Sequence, residues 1–279
     1  MAGGELGRRV AVAAVGIPAV LAALWYGSWA LGVLVAVAAV IASMELYGLA
    51  AAQGLEPFAV TGAAASGAIV LLATAYPTPE QAAPGVLAVL LAVAILTLAA
   101  SVWLRWPAGH PLASVAVTLL GPVYVGCTLA FALFLRSLPG VGFVLLPLVV
   151  VWVGDSAAYF AGRAWGKRKL FPAASPGKTV VGGVAALIGS TLAGTVVAWL
   201  ALTRVPGPGL SVLGGALIGA FLGVAAPLGD VAESVLKREA GVKDSGRLLP
   251  GHGGMLDRVD ALLFAFPIAY GLLVLFGVA

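Results

Sequence analysis

Three aspartates, Asp230, Asp257 and Asp260, are the residues whose type and spacing first suggest chemistry. Asp230 falls inside a long apolar run, where a carboxylate without a partner or water costs about 2.5 kcal/mol or more. Asp257 and Asp260 open the next apolar run at an i, i+3 spacing, which puts both carboxylates on one helical face. If the two runs form neighbouring helices, the three carboxylates converge. They then offer the all-oxygen set that a hard divalent cation accepts while keeping positions for phosphate oxygens. Capping and dipole compensation account for Asp257 and in part for Asp260. They do not account for Asp230.

The segment between these acids is dense in basic residues: Lys237, Arg238, Lys243, Arg247 and Arg258 supply enough charge for several phosphates. Gly251, Gly253 and Gly254, around His252, let backbone approach a ligand closely. His252 reads as a proton donor, a phosphate contact or a structural bond to backbone, and a lone histidine is more often structural than catalytic. Basic groups beside acidic metal ligands point to a substrate that is polyanionic and metal-bound, as nucleoside triphosphates are.

A second cluster runs from Trp152 to Gly183. Asp155 lies within an apolar run, as a cavity wall or ligand-positioning group, or else as a buried structural acid paired with Arg163 or a helix backbone. Gly177-Lys178-Thr179 has the look of a phosphate-binding loop, but Pro172 stands where G-x-x-x-x-G-K-[ST] needs glycine. Ser175-Pro176 predicts a turn just before a helix start, with Lys178 beside the first amides, an arrangement suited to a phosphate. Lys167, Arg168 and Lys169 read as headgroup contacts.

The elements that must position these groups are membrane helices. Of 279 residues, 62% are hydrophobic and 9% charged, against about 25% charged in soluble domains. That excludes a soluble enzyme, a disordered chain and a disulfide scaffold, and the continuous apolar runs exclude a β-barrel. Cys127 stands alone. The expected fold is an all-α polytopic membrane bundle of about nine spans, near 10–26, 28–50, 58–76, 85–104, 112–135, 141–162, 179–201, 210–236 and 259–279. Gly27-Ser28 marks the weakest break, either a turn or a kink. With nine spans, 13 of the 15 basic residues share one side and only Arg136 and Arg204 lie opposite. The positive-inside rule makes the first side cytoplasmic. Residues 1–140 read as scaffold and oligomer contact, and 141–279 as the catalytic region. Glu45, near the end of the second span, reads as interfacial. Gly215, Gly219 and Gly223 read as a close-packing stripe. Nucleic-acid binding is not expected, because the basic residues sit in short juxtamembrane loops.

Residues 234–260 resemble the signature of the phosphatidate cytidylyltransferase (CDP-diacylglycerol synthase) family. Ser234, Leu236, Lys237 and Arg238 begin the pattern, Lys243, Asp244 and Gly246 continue it, and Leu249, Pro250, His252, Gly253, Gly254, Met255, Asp257, Arg258 and Asp260 close it. Upstream, Gly154-Asp155, Tyr159-Phe160, Gly166-Lys167, Ser175-Pro176 and Lys178-Thr179 also look like the family. Gly177 departs from it, since many relatives carry a second lysine there. The resemblance implies a homodimeric enzyme of the inner membrane, facing the cytoplasm, that converts CTP and phosphatidic acid to CDP-diacylglycerol and pyrophosphate. It implies Mg2+, with a second metal or a monovalent cation such as K+ sharing the site, on Asp230, Asp257 and Asp260. The expected catalytic groups are these three with Lys178, Lys237 and Arg238. The expected substrate contacts are Asp155, Ser175, Lys178, Thr179, Ser234, Lys237, Arg238, Lys243, Asp244, Arg247, His252, Gly253, Gly254 and Arg258. Competing readings are another CTP-dependent lipid enzyme, such as a polyprenol kinase, or a cation- or phosphate-coupled transporter. A transporter predicts acids spread over several helices at mid-depth, whereas here charge gathers on one face.

Overall fold

The computed structural model describes residues 16, 18–107, 110–246 and 253–279. Among the described residues there are nine helices. The first, α1, covers residues 18–26 and stops at Gly27, whose φ of 111° breaks the helix before α2 (Ser28–Ala51) begins. That settles Gly27-Ser28 as a true interruption, at a backbone conformation glycine tolerates. Next come α3 (Ala59–Ala75), α4 (Pro79–Leu104), α5 (Pro111–Ser137), α6 (Gly142–Trp165), α7 (Val180–Leu202), α8 (Val212–Glu239) and α9 (Leu256–Leu275). Seven of the nine, α2 and α4–α9, are long and apolar enough to cross a membrane, and α3 has 17 residues. The expected helical membrane bundle is therefore correct. It carries one addition that the sequence reading lacked, an antiparallel hairpin of β1 (Lys169–Phe171) and β2 (Ser175–Thr179).

The chain gathers into two compact units. The first holds residues up to Phe134 together with Leu236–Val259, and the second holds Leu135–Val235 with Asp260–Ala279.

In the first unit, small residues let α2 and α3 meet closely. Gly32 leaves room only for the Thr74 side chain, and the Ser43 hydroxyl donates to Ser66 Oγ at 2.8 Å. The buried Tyr47 hydroxyl lies against Gly62 and Gly121 and donates to the Thr118 carbonyl at 2.7 Å. Such close approach and buried polar bonding replace the hydrophobic drive that lipid removes. Helix α5 widens over Gly121–Cys127, where Pro122 supplies no amide hydrogen. Helix α4 buries only Ala82, Val93, Thr97 and Ser101 of its 26 residues, so most of its surface is left for lipid.

In the second unit the same device recurs. Gly219 and Gly223 abut the α7 backbone at Ser190 and Leu187, and Gly194 abuts the Gly215 carbonyl. The glycine stripe does what its spacing suggested. Ser190 Oγ donates to the Val150 carbonyl at 3.1 Å, joining α7 to α6.

The elements next to the polar segments end on defined caps. Thr179 closes the hairpin and caps α7, its hydroxyl accepting the Gly182 amide at 3.1 Å. Helix α8 stops at Gly241, whose φ is 69°. The Gly241 amide donates to Arg238 and the Val242 amide to the Lys237 carbonyl, a Schellman closure.

Candidate active site

In the second unit, strand β2 delivers Lys178 one residue before the α7 cap. Its ammonium donates to Asp230 Oδ2 at 2.8 Å and to the Pro227 carbonyl at 3.1 Å. Asp230 sits on α8, with Ser234 one turn further along and its hydroxyl 3.4 Å from Asp230 Oδ1. The pair is open to solvent: the side chains of Lys178 and Asp230 are 21% and 41% exposed. Asp155, on α6, is itself exposed and close enough to interact electrostatically with both. Gly229, beside Asp230, leaves no room for a Cβ against the Asp260 carbonyl at 2.7 Å. Helices α8 and α9 therefore meet backbone to backbone where these two acids emerge. Asp260 is buried, and its Oδ1 accepts the Ala261 amide at 2.7 Å.

In the first unit the same two residue types pair differently. Lys237 Nζ donates to Asp257 Oδ1 at 2.5 Å, with both side chains only 9% exposed. The other oxygen, Asp257 Oδ2, accepts the Gly254 amide at 2.7 Å, the Ser245 hydroxyl at 2.9 Å and the Ser245 amide at 3.0 Å. Arg238 is exposed and donates to the Val242 carbonyl at 2.9 Å. Lys243, Asp244 and Arg258 are exposed, and Gly253 takes a positive φ of 77°.

Two sequence expectations are corrected. Ser175-Pro176 is not a turn before a helix. Both residues belong to β2, and the chain reverses at 172–174, because β2 pairs with β1 in the register Lys169↔Thr179 and Phe171↔Ser175. Lys178 consequently meets a carboxylate and a carbonyl rather than the first amides of α7. Glu45 is not merely interfacial. Its carboxylate accepts bonds from Ser245, Met255 and Leu256. The signal was present, since Glu45 is the one charged residue of the first 150 that lies inside a predicted span. Glu233, fully buried on α8, also escaped the sequence reading. Arg247 and His252 lie outside the described residues.

Among the described residues, no group of three or more His, Cys, Asp and Glu side chains stands close enough to hold a metal ion. Mg2+ does not require one, since it commonly binds through one or two carboxylates plus substrate phosphates. The donor chemistry fits that mode. Asp230 already cradles one cation, the Lys178 ammonium, on a half-open carboxylate, and Asp260 emerges at the adjoining backbone position.

Residues 7–276 match the model of the cytidylyltransferase family. The chain belongs to the cytidylyltransferase family. This cytidylyltransferase-family chain is 30% identical to a phosphatidate cytidylyltransferase of Synechocystis over 96% of both chains. It is 42% identical to the phosphatidate cytidylyltransferase of Bacillus subtilis over 160 residues, which are 57% of this chain and 58% of that relative. It is 41% identical to that of Haemophilus influenzae over 128 residues, 46% of this chain and 44% of the relative. The Bacillus and Haemophilus alignments thus span less than two thirds of the relatives' length.

Proposed function

We propose that the chain is a phosphatidate cytidylyltransferase. It transfers the cytidylyl group of CTP to phosphatidic acid and releases pyrophosphate. The observation that carries this reading is the match to a protein of that name along 96% of both chains, joined to a half-open Lys178–Asp230 pair at the head of the hairpin.

The reaction needs no protein nucleophile. A phosphate oxygen of phosphatidic acid forms a bond to the α-phosphorus of CTP. The bond from that phosphorus to the bridging oxygen breaks, and its electron pair leaves with pyrophosphate. Both reactants are anions, so the chain must offset their repulsion and hold them in line. Lys178 presents an ammonium that a phosphate oxygen can share with Asp230. Arg238 in the last turn of α8, Lys243 just after it and Arg258 in the first turn of α9 add exposed positive charge. Thr179 serves by capping α7, which fixes the backbone of Lys178. Asp230 and Asp260 would hold Mg2+, and the ion would neutralise charge on the phosphates, whereas Asp257 is engaged by Lys237, Ser245 and Gly254.

The enzyme works as a homodimer in the inner membrane with its polar segments in the cytoplasm, where CTP is found. The separation of basic residues supports that sidedness. Purified protein given radiolabelled CTP and phosphatidic acid should yield labelled lipid and an equal amount of pyrophosphate. Absence of both products would overturn the reading.

A further inference from the structure

We propose that Glu45, on the second helix of the N-terminal half, is a positioning residue that holds the start of α9 and Ser245 and thereby sets Asp257 and Lys237. The proposal rests on the reading of the chain as a cytidylyltransferase, in which the segment around Asp257 handles the nucleotide.

Glu45 acts across about 200 residues of sequence. Its Oε1 accepts the Met255 amide at 2.9 Å, and its Oε2 accepts the Leu256 amide at 2.8 Å and lies 3.1 Å from Ser245 Oγ. The two amides are orphan donors of the first turn of α9, which have no partner within the helix. A carboxylate from another helix satisfies them and faces the positive end of the dipole. The Ser245 hydroxyl also lies 2.9 Å from Asp257 Oδ2, so its single proton is shared between the two carboxylates.

The coupling to Asp257 follows from that geometry. Of the four donors on Asp257, three come from Ser245 and Gly254. Ser245 is held directly by Glu45, and Gly254 immediately precedes the two amides that Glu45 accepts. Displacing Glu45 therefore loosens both sources of bonds to Asp257. Lys237, whose ammonium is buried on Asp257, follows. Two glycines mark the fit. A methyl group at Gly246 would overlap Glu45 alone, and one at Gly254 would overlap both Glu45 and Ser245.

Glu45→Gln replaces one acceptor oxygen by a donor, so at least one α9 amide loses its partner. Gly246→Ala displaces the same carboxylate without altering it. A smaller folded fraction would lower kcat and leave KM unchanged, whereas a displaced nucleotide segment raises KM. The expected result is that each single variant raises KM for CTP at least about fivefold. Glu45→Ala combined with Gly246→Ala should be no worse than the more damaged single variant, because the alanine methyl then fills vacated space. Hydrogen exchange in a peptide spanning 253–258 should be at least about tenfold faster in Glu45→Gln. Unchanged KM for CTP in Glu45→Gln and Gly246→Ala, losses that multiply in the double variant, or unchanged exchange would each overturn the proposal. If Glu45→Gln is not recovered folded, Gly246→Ala carries the kinetic test alone. A wild-type protein without activity would fail the functional reading instead, and the exchange measurement would still decide the role of Glu45.

Discussion

Two lysine–aspartate pairs lie in the C-terminal half of the sequence, and they differ in almost everything except residue type. Lys178 and Asp230 are 21% and 41% exposed, and beyond each other they bond to a single carbonyl and a distant serine hydroxyl. Lys237 and Asp257 are 9% exposed, and Asp257 accepts three further bonds from Ser245 and Gly254. An open pair contributes little to stability because water screens it. For the same reason it can part and receive a ligand. A buried, fully bonded pair resists parting, and loss of either member strands a charge. The first pair is built to exchange partners and the second to hold a segment in place.

The largest effect that would sharpen this contrast is expected at Asp230. Asp230→Asn keeps size and removes the charge that, in the proposed mechanism, holds a cation against two anionic substrates. Turnover should fall at least about 1,000-fold, about 4 kcal/mol of transition-state stabilisation. The unfolding midpoint in detergent should stay near wild type, because the pair is half exposed. Near-normal turnover, or a collapse in thermal stability, would erase the distinction between the pairs.

The second pair should respond the other way. Lys237→Met retains the aliphatic volume and leaves the Asp257 charge with one donor fewer. Removing one member of a buried pair costs about 3 kcal/mol or more, read as a lowered unfolding midpoint in detergent. A midpoint as high as that of Asp230→Asn would show that the Lys237–Asp257 pair is not structural.

Much of this arrangement was legible before any coordinates. Spans read from apolar runs ended at Gly27, at 53–57 and at 203–209, where glycine, proline and polar residues cluster, while single prolines such as Pro227 and Pro267 leave their helices unbroken. Asp230 stood out because an apolar span has no water for a carboxylate. The hairpin was hidden: Ser175–Thr179 contains proline and glycine and shows no alternation, and three-residue Lys169–Phe171 is too short for a pattern. The difference between the two Lys–Asp pairs was hidden too. It depends on Ser245, Gly254 and Glu45, and the bond from Glu45 to Leu256 joins positions that no local periodicity connects.

The smallest effects test whether the open pair alone, rather than the whole basic hairpin, meets the substrate. Lys178→Ala removes the ammonium proposed to contact a phosphate and should cost about 2 kcal/mol in kcat/KM. Arg168 is the matched control. Its carbonyl accepts the Val180 amide at 3.0 Å, which any residue at 168 would preserve, while its side chain is exposed. Arg168→Ala therefore keeps the hairpin tied to the start of α7 and loses only an exposed charge. Its kcat/KM should stay within about threefold of wild type, since surface ionic contacts contribute about 0–1 kcal/mol. The two variants differ by one basic side chain each, in the same hairpin region, so net charge is matched. Equal losses in both would mean that diffuse positive charge recruits the substrates. The openness of the Lys178–Asp230 pair would then have no part in catalysis, and only the buried pair would keep its assigned role.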